Sequence, residues 1–371
     1  MKQGPLTVLE FYSGIGGMHY ALHHTNIPYR ILKAFDINTF ANTVYEHNFG
    51  TGIVVQRNIE ALPLEYFDRL KANLWTMSPP CQPYTRIGLA KGSKDTRAKS
   101  FLKLMDVLPQ MQFPPEYLLV ENVKGFEESD SRDLLIETLS RCGYAFQEFL
   151  LSPIQFGIPN SRLRYYLLAV RTPRKFSNPP TNTIISYIPG TKCIVENKSQ
   201  EQNDNSLEEY VISETSNQLP TLREYLGLQV NLEKGEEYRV PDKILQKYGL
   251  LFDIVKPSSK RSCCFTKGYH RLVEATGSIL QMEENLDTYQ YAVEGKMDVL
   301  RLRYFTPEEI ALLMGFPIRT DQAANHLINH TDIYFSFPPS ISLRQQYRLL
   351  GNSVNTYVVS QLLRYLLSSS E

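Results

Sequence analysis

A cysteine follows two prolines in Ser78-Pro79-Pro80-Cys81-Gln82, directly after the apolar run Leu74 to Met77. A short apolar run stopped by prolines reads as a buried strand emptying into a loop. The thiolate is the strongest nucleophile among side chains, and the prolines fix where its sulfur points. An isolated cysteine is more often a small packed apolar residue, so the chemistry depends on its companions. Glu121-Asn122-Val123 closes a second apolar run, Tyr117 to Val120. A carboxylate there stands at the carboxyl edge of a strand, where open α/β sheets place their chemistry. Arg162 and Arg164 flank Leu163 at the start of a third run. The two alternate on that strand, so both side chains are expected to point to one face, which suits an anionic or carbonyl-bearing substrate as well as a solvated or salt-bridged edge.

A fourth segment has the form of a ligand turn. Val8 to Phe11 is a β-rich run, Ser13-Gly14-Ile15-Gly16-Gly17 a glycine-rich turn, and Met18 opens a helical pattern. Glycines take positive φ and let a backbone approach a ligand. Asp36 follows Gly14 by 22 residues, at the expected end of the second strand, where a carboxylate can grip ribose hydroxyls. The spacing is not G-x-G-x-x-G, which counts against NAD and leaves another adenosine cofactor.

These groups need a scaffold that brings strand ends together. Between Leu6 and Val170, β-rich runs (Leu6 to Phe11, Arg30 to Phe35, Ile53 to Val55, Leu74 to Met77, Tyr117 to Val120, Ala145 to Leu151, Leu163 to Val170) alternate with helical patterns (Asn38 to His47, Phe101 to Met111, Asp133 to Cys142). That order predicts an α/β fold with a doubly wound, mostly parallel sheet. Residues 1–175 form the expected catalytic domain. A smaller domain is expected over 176–340, with a polar insertion near 190–218, and 341–371 is expected to return to the first domain. Within the small domain Thr306-Pro307-Glu308-Glu309 reads as a capped helix start.

Lys plus Arg and Asp plus Glu both number 39, so nucleic-acid binding requires a local basic patch. Two sequence clusters, Arg86 to Lys99 and Lys256, Lys260, Arg261, Lys267 and Arg271, would form such a patch if they flank the crevice, and are otherwise an ordinary solvated surface. The five cysteines lack C-x-x-C spacing, so no metal site is expected and the thiols are read as reduced. No run approaches about 18 apolar residues, so the expectation is a soluble intracellular protein without membrane contact.

Together the segments Phe11 to Met18, Pro79-Pro80-Cys81-Gln82, Glu121-Asn122-Val123, Arg162-Leu163-Arg164 and Gly351-Asn352-Ser353-Val354-Asn355 resemble the cytosine-5 methyltransferases. Ser78 to Gly88, Glu121 to Glu127, Gly157 to Tyr165 and Cys264-Phe265-Thr266 with Lys267-Gly268-Tyr269 resemble the branch that methylates tRNA-aspartate. The likeness spans most of the chain outside residues 172–255. It implies a class I S-adenosylmethionine-dependent fold with an inserted target-recognition domain.

By resemblance Cys81 adds to C6 of cytosine, Glu121 engages N3 and the exocyclic amine, Arg164 holds the O2 edge, and Arg162 orders the active-site loop. S-adenosylmethionine would be contacted by Phe11, Ser13, Gly14, Gly16, Gly17, Met18, Asp36, Ile37, Asn58, Ile59, Pro79, Asn352, Ser353 and Val354. Asn58-Ile59 stands where DNA-type relatives have Asp-Ile. Substrate contacts are expected from Arg86, Lys260, Arg261, Cys264, Phe265, Thr266 and Lys267. The implied partner is tRNA, with tRNA-aspartate first and DNA a weaker one. A monomer is expected, in the cytoplasm and also the nucleus. A DNA methyltransferase and a catalytically silent cofactor or tRNA binder are the alternatives.

Overall fold

The computed structural model describes residues 4–80, 98–191, 196–197, 210–211, 219–227, 235–319 and 333–368. The chain divides into two compact units, one comprising Met1–Leu151, Leu163–Thr191 and Val358–Glu371, the other Ser152–Arg162 and Lys192–Tyr357.

The first unit carries β1 (Leu6–Phe11), α1 (Gly17–His23), β2 (Tyr29–Phe35), α2 (Thr39–Phe49), β3 (Val54–Val55), α3 (Leu64–Asp68), β4 (Leu74–Met77), α4 (Lys99–Val107), β5 (Tyr117–Val123), α5 (Asp130–Arg141), β6 (Tyr144–Leu151) and β7 (Arg164–Arg171). The sheet order is β3-β2-β1-β4-β5-β7-β6. The first five strands are parallel, and β7 runs antiparallel between β5 and β6. This is the mostly parallel, doubly wound sheet of a class I methyltransferase fold. All four residues of β4 are buried, as a strand covered on both faces requires. On one face Phe11 stacks on Phe35 with ring centroids 4.9 Å apart and meets Trp75 edge-on at 5.0 Å.

Local differences from the sequence reading follow from pairing. The polar residues Glu121 and Asn122 stay in β5 because β7 pairs with them, Glu121 opposite Tyr166 and Asn122 opposite Tyr165. β7 starts at Arg164, so Arg162 is not on the strand, and the expectation that both arginines share a strand face is corrected. The helix expected over 101–111 ends at Val107 and tightens into a 3₁₀ turn, Leu108–Gln110, where Pro109 removes an amide donor.

Composition draws domain boundaries after 175 and 340, whereas packing assigns 152–162 and 341–357 to the second unit. Asn160 Nδ2 donates to Ser262 Oγ and Cys263 O, each at 3.0 Å, which ties the first of these segments there. Phe176 remains in the first unit, stacked on Tyr365 at 5.8 Å.

The second unit contains the pair β8 (Glu196–Asn197) and β9 (Tyr210–Val211), then α6 (Asp242–Tyr248), β10 (Ile254–Val255), β11 (Ile279–Gln281), α7 (Thr288–Val293), β12 (Leu302–Arg303), α8 (Pro307–Leu313) and α9 (Leu343–Gly351). A final helix, α10 (Thr356–Leu367), belongs to the first unit from Val358 onward. There Arg364 donates to the carbonyl of His24. Most of the polar insertion near 190–218 lies outside the described residues.

Helix α8 begins as its sequence requires. Thr306 Oγ1 accepts from Glu309 N at 3.2 Å, and Glu309 Oε2 accepts from Thr306 N at 2.8 Å. Glu309 also receives both terminal nitrogens of Arg303, each at 2.8 Å, in a buried bidentate pair. Arg303→Ala strands this carboxylate without its cation. It is expected to cost about 3–5 kcal/mol, read as a lowered urea midpoint for the second unit.

Candidate active site

The loop after β1 is strained. Tyr12 takes φ 58°, a left-handed conformation uncommon for a bulky residue, while its hydroxyl donates to Ser100 Oγ at 3.0 Å. Ser13 N then bonds Phe35 O at 3.0 Å, fastening the turn to the end of β2. Asp36 completes the clamp. Its Oδ2 accepts from Gly14 N and its Oδ1 from Asn38 N, both at 2.8 Å. Burial raises the Asp36 carboxyl above its ordinary range, against the amides of Asn38, Gly14 and Ile37, which favour the charged form. Beside it the Ile37 side chain is 72 % exposed, an apolar shelf at the strand end.

The two positive-φ glycines of the turn do different work. At Gly14, φ 54°, a Cβ would meet nothing within 4 Å, so the backbone is open to a ligand. At Gly16, φ 87°, a Cβ would lie 2.5 Å from the Phe49 ring and 3.2 Å from Tyr45, so this side is filled by α2. Gly17 and Met18 are buried at the start of α1. The Phe11 ring is also fully buried in the aromatic core, where it supports the turn from beneath and presents no surface. Asn58 Oδ1 accepts from Glu60 N at 3.2 Å as a helix cap, and Ile59 is buried. Ser13 Oγ and Ser78 Oγ are buried with no hydrogen-bond partner among the described residues. Orphaned hydroxyls, an open Gly14 and a carboxylate at the strand end fit an adenosine cofactor.

Strand β4 lies beside β5, with Met77 opposite Val120. Asn122 Nδ2 donates to Pro79 O at 3.3 Å, so β5 holds the Pro-Pro segment directly. The sequence reading gave Asn122 no role, although an amide in a buried apolar run was the available signal. Glu121 Oε1 sits at ion-pair distance, 3.6 Å, from Arg164 Nε, and both side chains are largely buried. Arg164 Nη1 also donates to Leu163 O at 2.7 Å, which steadies the guanidinium. A carboxylate and a cation are thus set side by side on neighbouring strands. Cys81, Arg86 and the basic stretch through Arg97 lie outside the described residues.

In the second unit Arg162 is 4 % exposed and joins two remote segments. Its Nη1 donates to Phe265 O at 3.0 Å and contacts Cys264 Sγ at 3.3 Å. Its Nη2 donates to Gly351 O at 3.3 Å and to the Ser353 carbonyl. Arg162 therefore orders Cys264-Phe265-Thr266 against Gly351-Asn352-Ser353. Gly351 permits the contact, because a Cβ there would lie 2.2 Å from Thr266 C and 2.3 Å from Lys267 N. Phe265 and Val354 are buried, whereas Asn352 and Lys267 are exposed.

The basic patch of this unit is smaller than its sequence suggests. Lys256 Nζ donates to the carbonyls of Glu284 and Leu286, each at 2.9 Å, and Arg261 pairs with Asp253 at 2.8 Å. Lys256 is thereby tied to the fold, whereas Arg261, although paired, keeps 56 % of its side chain exposed, and Lys267 and Arg271 are exposed as well. Gly351→Ala is expected to lower stability by about 1–3 kcal/mol through overpacking, measured as a drop in thermal midpoint.

The comparisons agree with this arrangement. Residues 6–368 match the family model described as C-5 cytosine-specific DNA methylase. A tRNA (cytosine(38)-C(5))-methyltransferase of Mus musculus is 43 % identical over 402 residues, covering 98 % of this chain and 93 % of the relative. A protein of Dictyostelium discoideum named DNA (cytosine-5)-methyltransferase is 40 % identical, covering 99 % and 95 %. The crystal structure of the S. pombe Dnmt2 methyltransferase aligns with TM-score 0.76 at 39 % identity, covering 98 % of each chain. With its mostly parallel sheet, its clamped glycine turn and its Pro79-Pro80 segment held by Asn122 beside the Glu121–Arg164 pair, the chain belongs to the C-5 cytosine-specific DNA methylase family.

Proposed function

We propose that this protein methylates C5 of a cytosine in the anticodon loop of tRNA, tRNA-aspartate foremost, with S-adenosylmethionine as donor. The observation that carries the substrate is full-length similarity to relatives named for cytosine 38 of tRNA. Bound S-adenosylmethionine supplies an electrophilic methyl group. Gly14, Asp36, Ile37, Ser13 and Ser78 are the first-unit residues that would hold it.

The rest of the chemistry belongs to the chain. The Cys81 thiolate forms a bond to C6 of cytosine, and the electron pair of the C5–C6 double bond becomes available at C5. Glu121 engages N3 and the exocyclic amine, and Arg164 the O2 edge, stabilising the charge that addition pushes onto the ring. After C5 is methylated, a base removes its proton and the C6–S bond breaks, restoring the thiolate. The Glu121–Arg164 pair supports this reading because an acceptor and a donor already stand together for the polar edge of a pyrimidine. Arg162 acts as a positioning residue through Cys264-Phe265-Thr266. An unpaired loop suits the pocket because its bases leave the stack at low cost. The proposed setting is a monomer in the cytoplasm and also the nucleus.

Duplex DNA is the second reading, favoured by the name of the Dictyostelium relative. Labelled S-adenosylmethionine offered with tRNA-aspartate or duplex DNA, followed by bisulfite sequencing, separates the two. Transfer confined to the anticodon loop and abolished by Cys81→Ala is the expected result, and transfer mainly to DNA refutes the tRNA reading. Lys267→Glu is expected to weaken tRNA binding and flatten its salt dependence by about one unit of slope, with cofactor affinity unchanged. Equal tRNA affinity for this variant and wild type removes Lys267 from the interface.

A further inference from the structure

Beneath the glycine turn lies a buried polar chain that the proposed chemistry does not use. Glu10, the penultimate residue of β1, is 1 % exposed on the sheet face covered by α1 and α2, opposite the face of Leu9 and Phe11. The Tyr45 hydroxyl of α2 donates to Glu10 Oε2 at 2.9 Å and shares a second hydrogen bond of 2.9 Å with His19 Nδ1 of α1. His19 in turn stacks on Phe49, with ring centroids 3.7 Å apart and planes 13° apart. Tyr45 and Phe49 are the two rings that press on Gly16. One hydroxyl therefore links β1, α1 and α2 below the turn whose upper side is open at Gly14.

Resting on the reading that S-adenosylmethionine binds over this turn, we infer that Tyr45, through Glu10 and His19, is the positioning residue that sets the turn's shape and hence cofactor affinity. Tyr45 touches no reacting atom. It fixes the distance between α2 and Gly16, and Gly16 in turn accepts Tyr20 N at 2.9 Å to start α1. The buried Tyr45 ring packs on Phe49 and His19, with centroids 4.9 and 5.7 Å away, and the hydroxyl adds the directional bonds to Glu10 and His19 that fix its seat.

The protonation of Glu10 is coupled to this chain. Burial pushes its carboxyl up to about 8, against the Tyr45 hydroxyl and the amides of His19 and Met18. Asp36 also acts to raise it; Tyr29 of β2 and Tyr20 of α1, both pushed upward by burial, and His23 of α1, which acts on His19, are further titratable groups around this chain. Burial lowers His19 to about 3, so it is neutral throughout. With Glu10 neutral, a single proton order can run from acid to tyrosine to imidazole. Once Glu10 ionises, the tyrosine hydrogen must point to the carboxylate and His19 must carry its proton on Nδ1. A raised carboxyl pKa means that the folded state holds the proton longer than the unfolded one. Stability therefore falls as pH rises from the ordinary carboxyl range to about 8 and levels above it.

The test uses the full chain with S-adenosylmethionine, by titration calorimetry between pH 7 and 9, alongside tRNA binding. Tyr45→Phe keeps the ring under Gly16 and removes only the hydroxyl. It is expected to weaken cofactor binding about five- to twentyfold at pH 7, leave tRNA affinity unchanged and raise KM for the cofactor more than it lowers kcat. Wild-type affinity should decline above pH 8, and Glu10→Gln, which cannot ionise, should lose that decline. Unaltered cofactor affinity in folded Tyr45→Phe, or the same pH profile in wild type and Glu10→Gln, overturns the inference while the methyltransferase reading stands. Absence of cofactor binding by wild type overturns both.

Discussion

The lateral register of three buried parallel strands is the constraint on which the first unit depends. Phe11 lies opposite Met77, and Met77 opposite Val120, so β1, β4 and β5 reach the same edge together. A slip of one residue would turn every side chain of a strand to the other face, and both faces here are packed. The ligand turn, the Pro-Pro segment and Glu121 are therefore neighbours by register alone. Antiparallel β7 adds Arg164 opposite Val123, which brings a cation to that edge from the other chain direction.

In the second unit the corresponding organiser is a buried cation. Arg162 has planar donors that reach the carbonyls of Phe265, Gly351 and Ser353 at once, which a lysine ammonium on a flexible stem does not reproduce. Its charge is met by backbone dipoles and by the close approach that Gly351 allows. Segments as far apart in sequence as Phe265 and Gly351 are fixed relative to one another by one side chain.

Glycine and strain divide the labour of the cofactor edge. Gly14 is free of neighbours where a Cβ would stand, Gly16 is pressed by α2, and Tyr12 holds a left-handed conformation without being glycine. The cost of that conformation is offset by the Tyr12 hydroxyl bond to Ser100 and by the two bonds just after it, from Ser13 to Phe35 and from Gly14 to Asp36. The turn is consequently shaped before any ligand arrives, which lessens the ordering that binding requires.

Much of this was legible in the sequence, because the relevant signals are local. Apolar runs stopped by polar or proline residues located the strands. The Thr306-Pro307-Glu308-Glu309 cap located α8, and the glycine run located the turn, clamped by Asp36, that is proposed to hold the cofactor. Tertiary structure alone decided which partners these residues have. It extended β5 through Glu121 and Asn122 by pairing them with β7, and it took Arg162 off the strand into the second unit. It turned Gly16 toward α2 while leaving Gly14 open, and it drew Lys256 away from the basic patch by bonding its ammonium to two backbone carbonyls. The physical reason is range. Periodicity, capping and backbone preference act over a few residues, whereas burial, ion pairing and close approach depend on what the fold brings from dozens or hundreds of positions away.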